Sequence, residues 1–292
     1  MSVIREFDPW RSPLCTCPPK YSLSPYTGCG HHCLYCYASS YIKDFYRVRV
    51  KKNILSRLKR DLRKIDKRKV ISMSNSSDPY TPPEEHLGVT RKVLKTLISA
   101  GCKVLIVTKS DLVLRDLDII RRGKVSVSIT VTTLDEKLAK IIEPRAPAPS
   151  RRIKALAELT RNSIPVSARI DPIIPYINDY EESIKRLVSR LSEAGVLHVV
   201  TSTYKARPDS LKRLESSFLN LKSKLKTLYR IRGEKLCGYW YLNRRLREDI
   251  IKTVRDVVLA YGMTFASCRE GLSYLNTAIC DGSHLIDLIK AR

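Results

Sequence analysis

The sequence predicts an α/β protein, a partial (β/α)6 TIM-type barrel with N- and C-terminal extensions. Three observations carry that expectation: short β-branched runs alternate with longer segments of helical period, glycines stand where those helices must stop, and the alternation runs through six units. In chain order, the first strand lies around 20–26, followed by a cysteine-rich loop and a helix over 53–65. Strands then fall over 69–74, 103–108, 125–131, 165–170 and 196–202, each apolar or β-branched. Between and after them, helices fall over 88–101, 111–123, 151–162, 180–195 and 209–221, with apolar residues three and four apart. Gly101, Gly123 and Gly195 occupy the expected C-caps before the next strand. Eight units would close a barrel, whereas six leave it open on one side. Residues 1–19 read as an N-terminal extension carrying Cys15 and Cys17, residues 20–221 as the barrel core, and residues 222–292 as a C-terminal extension packed on it. In that last segment 247–262 reads as a helix and 266–286 as loops.

The chain has 292 residues, of which 43% are apolar, enough for a sizeable core. No run of about 18 apolar residues occurs, and the opening MSVIREFDPWRSP lacks the basic-then-apolar build of a signal peptide, so a cytoplasmic protein without membrane insertion is expected. The 54 Lys and Arg outnumber 29 Asp and Glu, leaving a formal net charge of +25, which points to a polyanionic partner and leads to nucleic acid, DNA and RNA undistinguished. A solvated cation-rich surface is the alternative, but acid is too scarce for Lys/Glu networks. Nine cysteines in a reducing compartment read better as metal ligands than as disulfides where they cluster. Cys102, on the strand 103–108 or just before it, reads as a small core residue.

Residues 26–38, YTGCGHHCLYCYA, crowd Cys29, Cys33 and Cys36 into eight positions. The set is open to three readings: a structural zinc site with His31 or His32 as fourth ligand, a redox pair with a spare thiol, or three corners of a 4Fe-4S cluster with one iron lacking a protein ligand. A CxxxCxxC loop leaving the first strand suits the cluster, since short spacings let one loop wrap several corners.

That motif, with Tyr35 just before its last cysteine and a six-unit β/α pattern behind it, resembles the radical S-adenosylmethionine (SAM) superfamily. More narrowly, SPYTGCGHHCLYCYA followed by SSDPYTPPE, TKS, EPRAP, ARIDPIIP and a late CREG and CDGSHL is similar to the spore photoproduct lyase-related group, also labelled DNA repair photolyases. The resemblance implies a cluster whose open iron chelates SAM, reductive cleavage to a 5′-deoxyadenosyl radical, hydrogen abstraction from a substrate, and an electron donor such as a ferredoxin or flavodoxin. It further implies roles for matching positions. Ser76 and Ser77 would lie near the methionine moiety, Lys109 would pair with its carboxylate, and Ser128, Thr130 and Arg169 would face the same space. Tyr35 would sit beside the cofactor, and Tyr35 and Tyr37 resemble tyrosines near the radical path. Where the lyase carries a hydrogen-donating cysteine after its second strand, this chain reads SNSSD. Repair by that route is therefore not expected, and Cys237 remains as the thiol that would donate hydrogen or else pack as a structural residue.

Cys15, Cys17, Cys268 and Cys280 would form a tetrathiolate site joining both chain ends, holding a second iron–sulfur cluster or a zinc ion, unless they are unrelated thiols. His284 reads as a packed or capping residue. The basic and aromatic stretch 228–245 is the candidate contact for bases and phosphates, with packing of the extension onto the barrel an equally good account of Tyr239, Trp240 and Tyr241. The functional expectation is a radical SAM lyase or modifying enzyme acting on nucleic acid. The alternatives are a non-catalytic nucleic-acid-binding protein stapled by its metal, and a radical SAM enzyme acting on a protein or small molecule.

Overall fold

Alternation within the strands sets the architecture. In 124–130 the residues Val125, Val127 and Ile129 join the main aliphatic core, while Ser126, Ser128 and Thr130 turn to the opposite face. The same period separates Ile71 and Met73 from Ser72, and Val166, Ala168 and Ile170 from Ser167, Arg169 and Asp171. One face is therefore built to bury helices and the other is lined by small or polar side chains that leave room for a cavity.

The computed structural model describes residues 2–7, 12–73 and 76–289. Its main sheet has eight strands: β1 (Arg5–Glu6), β2 (Tyr21–Leu23), β3 (Ile71–Met73), β4 (Lys103–Thr108), β5 (Lys124–Thr130), β6 (Val166–Ile173), β7 (His198–Thr203) and β8 (Thr264–Ser267). They lie side by side in chain order, parallel throughout except for the antiparallel β1–β2 pair at one margin. The outer layer includes α1 (Ile54–Asp61), α2 (Val89–Ser99), α3 (Pro149–Arg161), α4 (Glu181–Glu193), α5 (Pro208–Ser217) and α6 (Arg244–Ala260). This is the mixed α/β architecture of a partial TIM-type barrel. Among the described residues no helix is long and apolar enough to cross a membrane.

Three expectations change. The segment read as loops after the last helix contributes β8, whose Thr264–Ser267 pairs with His198–Thr201 of β7 and extends the parallel array to a seventh strand. The stretch 111–123 is a 3₁₀ turn over Asp111–Asp116 and a short helix over Leu117–Ile120. Ser110 caps it by accepting from Leu112 N–H, and buried Asp116 pins the junction by pairing with Arg91 and Arg115 and accepting from the Tyr80 hydroxyl. Last, the chain after β8 runs back beneath the sheet. A 3₁₀ segment over Ser283–Leu288 packs against β4 and β5 on the polar face. Gly282, at φ +76°, enters there so closely that a Cβ would stand 3.1 Å from both the Ser167 hydroxyl and the His198 ring.

Candidate active site

The loop leaving β2 is held on every side. Gly28 adopts φ +85°, and a Cβ there would stand 2.3 Å from the Phe45 carbonyl oxygen, so only glycine lets the chain turn into the cysteine run. Cys29 N–H donates to Phe45 O at 2.9 Å, Gly30 N–H to Thr81 Oγ1 at 2.8 Å, and Leu34 N–H to Ile142 O at 2.9 Å. The Arg213 guanidinium donates to the carbonyls of Leu34 and Cys36, both at 2.9 Å. Partners from four separate parts of the barrel thus set the path of one loop, and its three thiols, of Cys29, Cys33 and Cys36, border a cavity of about 570 Å³ at the C-terminal ends of the strands.

A buried ionic knot lies behind the loop. Glu143 accepts a hydrogen bond from the Tyr35 hydroxyl and another from Thr132 Oγ1 at 3.2 Å, and its second oxygen meets Arg152 at 2.5 Å. Lys109 Nζ stands 4.0 Å from Glu143 and 5.5 Å from the centre of the Tyr35 ring. Burial would raise Glu143, but Arg152 and Lys109 hold it below the usual carboxylate range. Burial would likewise lower Lys109, but Glu143 and Cys33 hold it above its ordinary value. Burial, with Cys33 and Glu143 adding to it, keeps the Tyr35 phenol protonated, as a donor to Glu143 must be. The sequence signal for Glu143 was the EPRAP stretch. That stretch carries the resemblance alone, with no role implied for Glu143.

Around the cavity, Ser76, Ser77, Lys109, Thr130 and Arg169 all contribute to the lining, and so do Tyr35 and Tyr37. Ser74 and Asn75 of the SNSSD stretch lie outside the described residues. Asp78, not singled out from sequence, organises this edge: it accepts from Thr108 Oγ1 at 2.6 Å and Lys109 N–H at 2.7 Å, and its carboxylate meets His31 Nε2 at 3.2 Å. Arg169 pairs with Asp171 at 2.8 Å, and Asp171 also accepts from Ser202 Oγ at 2.5 Å. Against the burial that would raise it, Arg169 and Lys205 hold the Asp171 carboxyl down at about 2. Tyr37 packs edge-on against Tyr239 at 6.0 Å and beneath the Arg269 guanidinium at 5.9 Å.

Two expected residues are elsewhere. Ser128 shares the polar face of β5 but is fully buried below the cavity, with no hydrogen-bond partner for its hydroxyl among the described residues. Cys237 is exposed at a hairpin turn between Leu236 and Tyr239, with φ +48°, and is not part of the cavity wall. It is placed neither as a hydrogen donor nor as a buried structural thiol, because the hairpin carries it outward. The expected base-stacking rings are also turned in: Tyr239 and Tyr241 are buried, and Trp240 is half-buried beside Arg230.

The second thiol set borders the same cavity: Cys15, Cys17, Cys268 and Cys280 all contribute to its wall. Cys17 Sγ is 4.0 Å from Cys280 Sγ. Among the described residues no three His, Cys, Asp or Glu side chains converge on one point in the geometry of a single bound ion.

The fold and this site define a β/α barrel with a three-thiol loop at the wall of its cavity. Residues 23–191 match the radical SAM superfamily, and the chain belongs to that superfamily. Among relatives, it is 32% identical over 208 residues to a protein of Acidianus two-tailed virus, covering 65% of this chain and 68% of that one. It is 39% identical over 169 residues to a protein of Methanocaldococcus jannaschii, covering 56% and 63%. It is 23% identical over 259 residues to the radical SAM Nα-GlyT isomerase of Pseudomonas phage M6, covering 84% of this chain and 53% of the isomerase. The fold is shared with spore photoproduct lyase, in a structure with bound AdoMet and dinucleoside spore photoproduct, at TM-score 0.67 and 17% identity over 89% of this chain and 79% of the lyase. It is shared too with Streptococcus suis SuiB bound to precursor peptide SuiA, at TM-score 0.56 and 16% identity over 84% and 48%.

The residues present fit the 4Fe-4S cluster and SAM that the superfamily implies. Three thiols and no fourth come from the loop, so Cys29, Cys33 and Cys36 would hold a cubane by three corners and would leave one for the cofactor. Burial pushes the thiols of Cys29 and Cys33 up to about 12 and that of Cys36 to about 11. Their thiolates therefore need positive charge beside them, which iron supplies and Lys109 supplements. His32, one of the two histidines a zinc site would have drawn on, is stacked on Tyr46 at 4.4 Å.

Proposed function

We propose that this radical SAM enzyme acts on nucleic acid, by modification or repair, with Cys29, Cys33 and Cys36 holding the cluster. When bound, the cluster and SAM supply a 5′-deoxyadenosyl radical that abstracts hydrogen from the substrate. Lys109 and Arg169 would bind the cofactor's carboxylate as charge-assisted partners, Ser76, Ser77 and Thr130 would take its remaining polar atoms, and Tyr35 would stay fixed by Glu143 beside the loop. The small hydroxyl side chains on the inner face would leave volume for the adenosine. Electrons would come from a ferredoxin- or flavodoxin-type donor. The thiols around Cys17 and Cys280 would take a second metal, as an iron–sulfur cluster or zinc.

The observation that carries the substrate class is charge. Arg5, Lys20, Lys109, Arg169, Lys205 and Arg269 border the cavity against Glu6, Asp78, Asp171 and Asp281; Lys20, Lys109, Arg169 and Lys205 stand beside carboxylates, but the surplus of cations in a chain of net charge +25 favours a phosphate-bearing substrate. The dinucleoside ligand of the structurally similar lyase supports the same reading. The test is anaerobic incubation with dithionite and SAM, with and without duplex DNA, single-stranded DNA or tRNA, measuring 5′-deoxyadenosine. Release stimulated by one nucleic acid, with deuterium transfer from it, is expected. Release unaffected by any of them would overturn the substrate class. A second reading, a peptide or protein substrate, is favoured by the likeness to SuiB with its precursor peptide, and stimulation by basic cell extract after nuclease treatment would support it.

A further inference from the structure

An incomplete barrel has a seam, and in this chain the seam is where the second thiol set lies. The sheet ends in β1 and β2 on one margin and in β8 on the other. Cys15 and Cys17 come just before β2, Cys268 follows β8 directly, and Cys280 lies on the returning C-terminal loop. Lys20 and Asp281 cross the same gap as a buried ion pair. Cys17 Sγ approaches Cys280 Sγ to 4.0 Å, and Cys15 and Cys268 border the same cavity. Apart from one 3₁₀ turn over Ser273–Leu275, the segments that bring them there, 12–20 and 268–282, contain no helix or strand. Something other than a backbone ladder must hold the two margins together.

We propose that Cys15, Cys17, Cys268 and Cys280 bind one zinc ion that staples the seam of the barrel and forms part of the cavity wall. This narrows the second-metal reading to zinc and gives it a place, and it is independent of the cluster loop. The short sulfur–sulfur approach, Cys17 to Cys280, favours zinc over a cluster. A Zn–S bond of about 2.3 Å gives a tetrahedron with edges of roughly 3.8 Å, close to the Cys17–Cys280 approach. A cubane keeps its ligand sulfurs farther apart, because irons and sulfides lie between them. The four thiols do not meet at one point among the described residues, so the side chains of Cys15 and Cys268 must rotate toward an ion held by Cys17 and Cys280. Lys20 and Arg169 stand near the thiols and offset the charge of four thiolates.

The experiment uses the full chain, purified without oxygen from cells supplied with both iron and zinc. Zinc, iron and acid-labile sulfide are measured per chain in wild type, in a Cys29→Ala/Cys33→Ala/Cys36→Ala variant and in a Cys17→Ser/Cys280→Ser variant. The expected result is about one zinc in the first two and none in the third, with iron and sulfide lost only from the triple variant. Iron and sulfide persisting in the triple variant would overturn the proposal in favour of a second cluster. A triple variant without metal, whether its seam thiols are reduced or oxidised, would overturn it outright. Should the double variant fail to fold, cobalt(II) added to the metal-stripped triple variant provides the readout: intense tetrathiolate charge-transfer bands are expected, and their absence would sink the zinc site.

Discussion

Cys29, Cys33 and Cys36 and the set of Cys15, Cys17, Cys268 and Cys280 border one cavity by opposite means. The first three come from eight consecutive positions, and the barrel needs only to fix the shape of one loop, through Phe45, Thr81, Ile142 and Arg213. In the second, Cys17 and Cys280 are 263 residues apart and meet only because two sheet margins face each other. A local set carries its own geometry and uses the fold as a mount. A dispersed set has no geometry until the fold exists, so its function is tied to stability and to closing the seam.

The sharpest break of that comparison is Cys33→Ala. Reductive 5′-deoxyadenosine release is expected to fall to the level seen without enzyme, with cluster iron lost, while Cys15→Ser leaves the cluster iron in place. Anaerobic metal analysis and product chromatography check both. If the loop variant kept its iron, the division of labour between the two sets would be wrong.

Next in size is Glu143→Ala. It strands Arg152 as an uncompensated buried cation and should destabilise the protein by about 3–5 kcal/mol in denaturant unfolding, with Glu143→Gln less harmful. Gly28→Ala follows, at about 2 kcal/mol, since it combines a left-handed backbone with a Cβ forced onto the Phe45 carbonyl. The seam counterpart, Gly282→Ala, meets side chains rather than backbone at 3.1 Å and should cost less, about 1–2 kcal/mol. Thermal unfolding of the pair compares how rigidly each set is mounted.

Asp171 gives a pH signature. Its folded carboxyl lies near 2, below the unfolded value, so its contribution is complete above about pH 4 and is lost as pH falls toward 2. The stability gap between wild type and Asp171→Asn should be on the order of 2 kcal/mol at neutral pH and shrink across that window. A gap that grew on acidification would contradict the Arg169 pairing. Smallest of all is Cys237→Ser. As an exposed hairpin-turn residue it should leave both product release and melting temperature unchanged, whereas a lost hydrogen-transfer step would return it to the chemistry.

Much of the site was readable because its information is local. CxxxCxxC is a spacing, Lys109 follows directly on a β-branched run, and period-2 alternation identifies Thr130 and Arg169 as facing one side. Glu143 and Asp78 were harder to find, since their importance lies in partners, Arg152 and Tyr35 for one and Thr108 and His31 for the other, that no spacing rule connects. In the sequence, Tyr239 and Tyr241 stay open between stacking on bases and packing for a related reason. An aromatic and basic stretch has the same composition whether it stacks on bases or, as here, buries its rings under Lys205, Arg247 and Arg269.

By itself the sequence determined the β/α period, the helix stops at Gly101 and Gly195 and the three-thiol loop, all of which depend on backbone propensity and neighbours within a few residues; Gly123, two residues past the cap at Arg121 and without a positive φ, is not such a stop. Tertiary structure alone decided that Thr264–Ser267 completes the parallel array, that Ser283–Leu288 returns beneath the polar face, and that Cys15 and Cys17 share one cavity wall with Cys268 and Cys280. The physical reason is pairing. A four-residue strand or a lone cysteine has no free-energy preference until its partner is fixed in space, and here the partners are supplied by the two margins of an unclosed barrel.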